Sequence, residues 1–337
     1  MSDRVRVAVL AGGRSSEHEI SVASARSVVA ALDPERYETV VVEIDKRGRW
    51  ELASGRGALP EASVETLPVV AGSPPAATLG QVDVVFPVLH GPFGEDGTVQ
   101  GLLDLADVPY VGAGVAASAL CMDKDLFKAV LRDRGIPVTR NVTLREGDPA
   151  EHPFPYPVFV KPARLGSSVG ISKVHDASAL EPAVALARRH DDKVLIEEGV
   201  DGVEVECGVL GNRDPIASVV GEIVAHADWY DYSAKYEEGG MDLVVPARIA
   251  SHADARVREL AVASFVATEC EGMARIDFFV RPDGEVIVNE INTIPGFTAT
   301  SVYAKLFEAA GISYPELLDR LIELALERHA RRSQLAF

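Results

Sequence analysis

Arg275, Asp277, Glu290 and Asn292 are spaced so that four polar side chains can meet on one face of a β-hairpin. Between them lies Asp283-Gly284, a strong hairpin signal when flanked by β-rich runs. With those two as the turn, Asp277 faces Glu290 and Arg275 faces Asn292. The other face, Ile276, Phe278, Val280, Ile287 and Ile291, is apolar apart from Asn289, as a sheet lying on a core requires. Opposed carboxylates repel by up to about 1 kcal/mol on a solvated sheet and by more when desolvated, so a compensating cation is needed. Asp, Glu and Asn offer only oxygen donors, the preference of Mg²⁺. The bland alternatives are a surface hairpin with casual acids or an Arg275–Glu290 salt bridge.

A second candidate is Lys161, at the end of the β-rich run Val158-Phe159-Val160, followed by Gly166-Ser167-Ser168-Val169-Gly170. Such a loop can wrap phosphate oxygens with its backbone N–H groups while the lysine supplies a point charge. A plain hairpin loop is the competing reading. It is not a Walker A sequence, because the chain contains no Gly-Lys dipeptide. Gly112-Ala113-Gly114-Val115-Ala116-Ala117 matches the dinucleotide fingerprint, with Asp133 downstream, but only Tyr110 and Val111 stand before it as a strand. His18 and His90 follow the first and third strands, at the ends where open α/β sheets bind ligands. The aromatic, charged run from Trp229 to Gly240 suits a lid, or a solvated connection with its tyrosines packed down.

The elements that must hold these groups begin with a βα opening: strand Val5 to Leu10, a Gly-rich turn, and a helix from Glu17 to Leu32. Strands follow at Val40 to Ile44 and Val82 to Leu89, with a hairpin expected around Lys46-Arg47-Gly48 and a Gly/Pro/Ser-rich stretch to Gln81. Helices are expected at Thr98 to Leu105, Lys124 to Arg134, Leu180 to His190, Ala253 to Cys270 and Pro315 to Arg331. The last places Leu318, Ile322 and Leu326 on one stripe.

Composition limits what such a site can serve. At 337 residues, 47% apolar and 25% charged, the chain has material for two or three packed units. Acids outnumber bases 51 to 33, and the resulting charge of -18 repels a phosphate backbone, so nucleic acid is not expected as a partner. Three scattered cysteines suggest neither disulfides nor a zinc site, which fits the cytoplasm. No run approaches the ~20 apolar residues of a membrane span, so no membrane association is expected.

Taken together, the motifs resemble the D-alanine:D-alanine ligase family of the ATP-grasp superfamily. They are Gly12-Gly13 through Ser15-Ser16-Glu17-His18-Glu19-Ile20-Ser21; His90-Gly91 with Gly94-Glu95-Asp96-Gly97; Met122-Asp123-Lys124; Lys161-Pro162 with the Gly166 loop; Asp231-Tyr232 with Lys235-Tyr236; Arg275-Ile276-Asp277; and Asn289 to Thr293 with Pro295-Gly296-Phe297-Thr298. The resemblance spans nearly the whole chain and is weakest from Asp45 to Gln81. It implies an α/β protein of three domains: an N-terminal open parallel-sheet substrate domain over 1–121, a central unit over 122–206, and a C-terminal unit over 207–337.

By the same resemblance Lys124, Lys161, Ser168, Glu197 and Glu204 bind ATP, and Asp277, Glu290 and Asn292 hold two Mg²⁺ or Mn²⁺. Glu19 takes the ammonium of the first D-alanine beside His90, and Glu19, Ser167 and Tyr236 close the site. Lys235 reaches the transferred phosphate, Ser301 the carboxylate of the second D-alanine, and Arg275 with Gly296 the reacting carbonyl. Val302 stands where many members carry leucine. The implied reaction activates one D-alanine as an acyl phosphate and couples it to a second, in a cytoplasmic homodimer. The rivals are a nicotinamide-dependent dehydrogenase using the Gly112 motif and a nucleotide-binding regulator without turnover.

Overall fold

The structure is a computed structural model that describes residues 4–53, 79, 82–225 and 241–336. Three sheets carry the site. The first has the order β3-β2-β1-β4, formed by β1 (Val5–Gly12), β2 (Tyr37–Ile44), β3 (Trp50–Ala53) and β4 (Val84–Pro87). β1 runs parallel to β2 and β4, while β3 returns antiparallel at the edge through the expected hairpin, where Gly48 takes a φ of 83°. Strand β1 is central, and its residues from Val7 to Ala11 are fully buried, which accounts for its unbroken apolar run. α1 (His18–Ala31) follows β1, and α2 (Thr98–Leu105) buries Val99 and Leu103 against Leu10 and Val85.

The second sheet, β5-β8-β6-β7, is antiparallel and consists of Asn141–Leu144, Val194–Glu198, Val158–Pro162 and Ser172–Val174 in that order. α5 (Leu180–Arg188) packs Leu180, Ala183, Val184 and Ala187 on it. The third sheet, β11-β10-β9-β12-β13, uses Met241–Val244, Ile216–Ala225, Val203–Gly211, Gly272–Val280 and Val286–Asn292. Its core joins Val257, Leu260 and Phe265 of α6 (Ser251–Ala267) to α3 (Val115–Met122) and α4 (Lys124–Asp133), through Ala117, Phe127 and Leu131. The expected boundary between residues 206 and 207 therefore falls inside β9, and the start of the expected central unit shares a core with the third sheet.

The final helix, α8 (Tyr314–Arg332), buries Leu317, Leu318, Leu321 and Ile322 with Val7, Val9 and Phe86 of the first sheet. Its Arg328 guanidinium donates to the backbone carbonyls of Tyr110 and Gly112. The Gly112 motif follows only an isolated bridge of Tyr110 to Val85, not the first strand of a βαβ unit that a dinucleotide fingerprint requires. Cys121, Cys207 and Cys270 are buried free thiols. No described helix is long and apolar enough to cross a membrane.

α7 (Val302–Ala309) lies close on the third sheet because Gly208 has no side chain. A Cβ there would stand 2.7 Å from the Phe307 ring and 3.0 Å from the Tyr303 ring. Gly208→Ala is expected to lower stability by about 1–3 kcal/mol, the usual cost of overpacking, and a thermal melt against wild type measures it.

Candidate active site

The acid face forms as expected around its functional end: Arg275 pairs with Asn292, Ile276 with Ile291 and Asp277 with Glu290. The route to that register differs. The loop holds three residues, Pro282, Asp283 and Gly284, closed by Arg281 N–H to Glu285 O and Gly284 N–H to Arg281 O, both 2.9 Å, with Gly284 at a φ of 87°. Near the loop Phe278 therefore pairs with Val288 and Val280 with Val286. Asn289 is then the extra residue of a bulge between Val288 and Glu290, which restores the outer register. The core face accordingly carries Val286 and Val288 in place of Ile287, and the apparent polar exception at Asn289 is the bulge residue.

Strand β9 adds Glu206, opposite Asp277, which sequence reading missed. The alternation of Glu204 and Glu206 beside the hairpin was its one signal. Arg275 holds this face together: its Nε lies 2.7 Å from Asp277 Oδ1 and 2.9 Å from Glu206 Oε2, and a terminal nitrogen lies 2.8 Å from Asp277 Oδ2. Burial opposes the guanidinium charge, but Asp277 and then Glu206 outweigh it and hold the Arg275 pKa above its ordinary value. The Asn292 amide donates to Asp277 Oδ2 at 3.0 Å, which leaves its carbonyl oxygen as the donor a cation would use.

Two lysines approach from the second sheet and α4. Lys124 opens α4, whose first turn is capped by the Asp123 carboxylate accepting from Asp125 N–H and Leu126 N–H. Its Nζ lies 2.8 Å from Glu290 Oε1 and donates to Leu165 O at 2.8 Å. Burial works against the Lys124 ammonium, yet Glu290, joined by the charges of Glu197 and Glu95, raises its pKa. Lys161, on β6, lies 2.6 Å from Glu197 Oε2. Glu197 also binds Lys128, one helical turn beyond Lys124, so its carboxylate bridges two lysines and is held low despite burial. Lys128 was not foreseen, although its four-residue spacing from Lys124 places both on one side of the helix. Burial, opposed by Glu197, brings its pKa down to about 8.

The loop after Lys161 turns through two consecutive left-handed residues, Ser167 at a φ of 52° and Ser168 at 56°. Non-glycine residues there store strain of order 1–3 kcal/mol each, as is common where backbone N–H groups are presented to a ligand. Ser167 Oγ donates to Glu17 Oε1, tying the loop to the opening turn of the chain.

That contact corrects the expectation for Glu19. Two residues apart at the start of a helix, Glu17 and Glu19 point about 200° apart, so one faces inward and the other outward. Glu17 is buried; Glu19 is 77% exposed and paired with Lys46 at 3.2 Å. The inward glutamate is thus Glu17. His18 is buried with Nδ1 2.8 Å from Gly13 O and stabilises the turn. His90 is buried with Nδ1 3.0 Å from Ile294 O, and burial lowers its pKa despite Glu17 nearby, which leaves it neutral at pH 7. Glu95 accepts from Gly91 N–H at 2.7 Å and Ile294 N–H at 3.1 Å, and burial followed by the Glu17 charge pushes its pKa up to about 8.

On the far side, Ser301 precedes α7 and accepts from Thr298 N–H at 2.9 Å, and Gly296 lies so close that a Cβ there would stand 3.4 Å from Ser301 Oγ. A cavity of about 340 Å³ brings these groups together: Glu17, His90, Ser167, Arg275, Glu290, Asn292, Gly296 and Ser301 all line it, with Val302 and the unforeseen Lys305. Lys124, Lys161, Ser168, Glu197, Glu204 and Asp277 lie off its wall. Lys235 and Tyr236 fall outside the described residues.

The arrangement can bind an ammonium at Glu17, polarise a carbonyl near Arg275, and receive phosphates near the two lysines. Asp277, Glu290 and Asn292 form an all-oxygen set suited to Mg²⁺, provided phosphate oxygens complete the shell. Among the described residues no cluster of three or more His, Cys, Asp or Glu is arranged to hold an ion unaided.

Comparison with known proteins agrees over the full length. The sequence model of the D-ala D-ala ligase N-terminus matches residues 6–113, and that of the D-ala D-ala ligase C-terminus matches 130–323. A D-alanine–D-alanine ligase of Solibacter usitatus is 48% identical, covering 99% of each chain. Among solved structures, the VanG D-Ala:D-Ser ligase of Enterococcus faecalis superimposes with a TM-score of 0.86 at 37% identity, covering 96% of this chain and 99% of that one. The D-alanine–D-alanine ligase of Bacillus anthracis complexed with ATP gives 0.79 at 27% identity, covering 97% and 99%.

Proposed function

We infer the chemistry of this chain from its family: it belongs to the D-alanine–D-alanine ligases. It is an ATP-dependent ligase of the ATP-grasp fold that forms D-alanyl-D-alanine for peptidoglycan synthesis. The observation that carries the site assignment is the single cavity where Glu17, Ser167, the Arg275–Glu290 face and the Gly296–Ser301 loop converge.

A carboxylate is a poor acyl donor because its leaving group would be oxide. Phosphorylation of the first D-alanine by ATP solves this, giving an acyl phosphate that the amine of the second D-alanine attacks with release of phosphate. In our reading Glu17 holds the ammonium of the first D-alanine, beside neutral His90, and Lys124 and Lys161 meet the ATP phosphates under the Ser167–Ser168 loop. Glu204 and the backbone around Glu197 serve the adenine and ribose end, since the Glu197 side chain is committed to Lys128 and Lys161. Asp277, Glu290 and Asn292 would hold Mg²⁺ or Mn²⁺, which supplies charge neutralisation for phosphoryl transfer. Arg275 and the Gly296 backbone stabilise the oxyanion of the tetrahedral state. Ser301 meets the carboxylate of the second D-alanine.

Lys235 toward the transferred phosphate, and Tyr236 beside Ser167, rest on the motif resemblance alone. The three sheets are proposed as the three domains, with β9 wholly in the third. A cytoplasmic homodimer belongs to the same proposal, supported for the compartment by the three free thiols.

The test is to incubate the protein with ATP, Mg²⁺ and D-alanine, D-serine or D-lactate as acceptor at neutral pH. Phosphate release with D-alanyl-D-alanine as the main product is expected, and chelation by EDTA should abolish it. Depsipeptide as the main product would overturn the acceptor assignment, and turnover that survives EDTA would overturn the metal site.

A further inference from the structure

His90, which lines the ligation cavity, also lines a second concavity of about 350 Å³ between the β1–α1 turn, the β2–β3 hairpin and α2. Its walls are apolar: Ile44, Trp50, Leu89, Phe93, Val99 and Leu102. Arg14 and Arg47 line it as well, and among the described residues neither has a carboxylate partner. Neighbouring Lys46 and Arg49 each pair with an acid, Glu19 and Asp45.

Arg14 is also held in place. Its guanidinium carbon lies 4.6 Å from the centroid of the Phe93 ring, a cation–π arrangement. Its stem crosses the hairpin where Gly48 leaves room, since a Cβ there would meet Arg14 Cδ at 3.0 Å. Phe93, 46% exposed, is itself held in a left-handed conformation with a φ of 69°. A guanidinium held by an aromatic ring beside an apolar hollow, with no carboxylate partner among the described residues, is what recognition of an amphipathic anion requires, with the hollow taking the body and the fork taking a carboxylate, sulfonate or phosphate.

We propose that this hollow is a binding site, separate from the ligation cavity, for a small organic anion with a flat apolar body, the anionic group meeting Arg14 and Arg47. The apolar lining supplies most of the affinity, and the two arginines select charge against the negative field of the whole protein.

The probe is 8-anilinonaphthalene-1-sulfonate, titrated into the full chain in a Trp229→Phe background where Trp50 is the only tryptophan. Saturable 1:1 energy transfer from Trp50 to the probe is expected. Arg14→Ala with Arg47→Ala should weaken binding at least tenfold. Thr98→Phe, which keeps both arginines and fills the lining, should do the same. The uncharged N-phenyl-1-naphthylamine should bind wild type at least tenfold more weakly. Without probe, these variants made in the otherwise wild-type chain should synthesise D-alanyl-D-alanine within twofold of wild type, so a failure here is separable from a failure of the ligase assignment. Unchanged probe affinity in either variant, absence of energy transfer, or displacement by ADP with D-alanine would overturn the proposal.

Discussion

Asp277→Asn and Glu290→Gln should each cut Mg²⁺-dependent ligation by at least about 10³-fold, equivalent to about 4 kcal/mol of barrier, with the fold retained. Each change keeps the volume and removes one negative charge from a site that must hold cations against phosphate. Arg275 keeps Glu206 when Asp277 is neutralised, and Lys124 keeps Leu165 O when Glu290 is neutralised, so neither buried cation is stranded. The expected signature is a far-ultraviolet circular dichroism spectrum like that of wild type with phosphate release at background. Near-normal turnover in either variant would sink the metal assignment.

The second large effect separates two neighbouring glutamates. Glu17→Gln should lower kcat/KM for D-alanine by about 10²-fold or more, since it removes the only charge Glu17 brings to the ammonium and weakens its acceptance from Ser167 Oγ. Glu19→Gln should stay within twofold, because its partner is a solvent-exposed lysine and exposed pairs of this kind contribute little. The KM for ATP should move in neither. Steady-state kinetics on the pair decides it, and a larger loss at Glu19 would return the ammonium site to that residue.

These two glutamates mark where the sequence stops being legible. Motif resemblance points to the run Ser16-Glu17-His18-Glu19 as a whole, but which acid faces inward depends on where the helix begins, and Glu17 sits just ahead of it. The hairpin shows the opposite outcome. A three-residue loop displaces the register by one and the bulge at Asn289 displaces it back, so the Asp277–Glu290 pairing is right while the faces near the loop are exchanged. Most helices were legible from periodicity, Thr98–Leu105 to the residue, because an apolar stripe is a local property. Val115–Met122 and Val302–Ala309 were not, being one short run of small residues and one set by its packing on Gly208. Glu206, Lys128 and Lys305 were missed for a related reason: each joins the site through a neighbouring strand or helix face rather than through its own motif.

The seating of the final helix on the first sheet also sets an order in time. Val7, Val9 and Phe86 leave the ribosome early, but the Leu317–Ile322 surface that completes their core emerges 231 residues after Phe86. At synthesis rates of about 5–20 residues per second that is a wait of roughly 10–50 s. Throughout it, that apolar face of the nascent N-terminal sheet has only Ala25, Val28 and Leu32 of α1 for cover. The first strands made are thus the last to be finished, and a chain cut short near its end loses the core of its beginning.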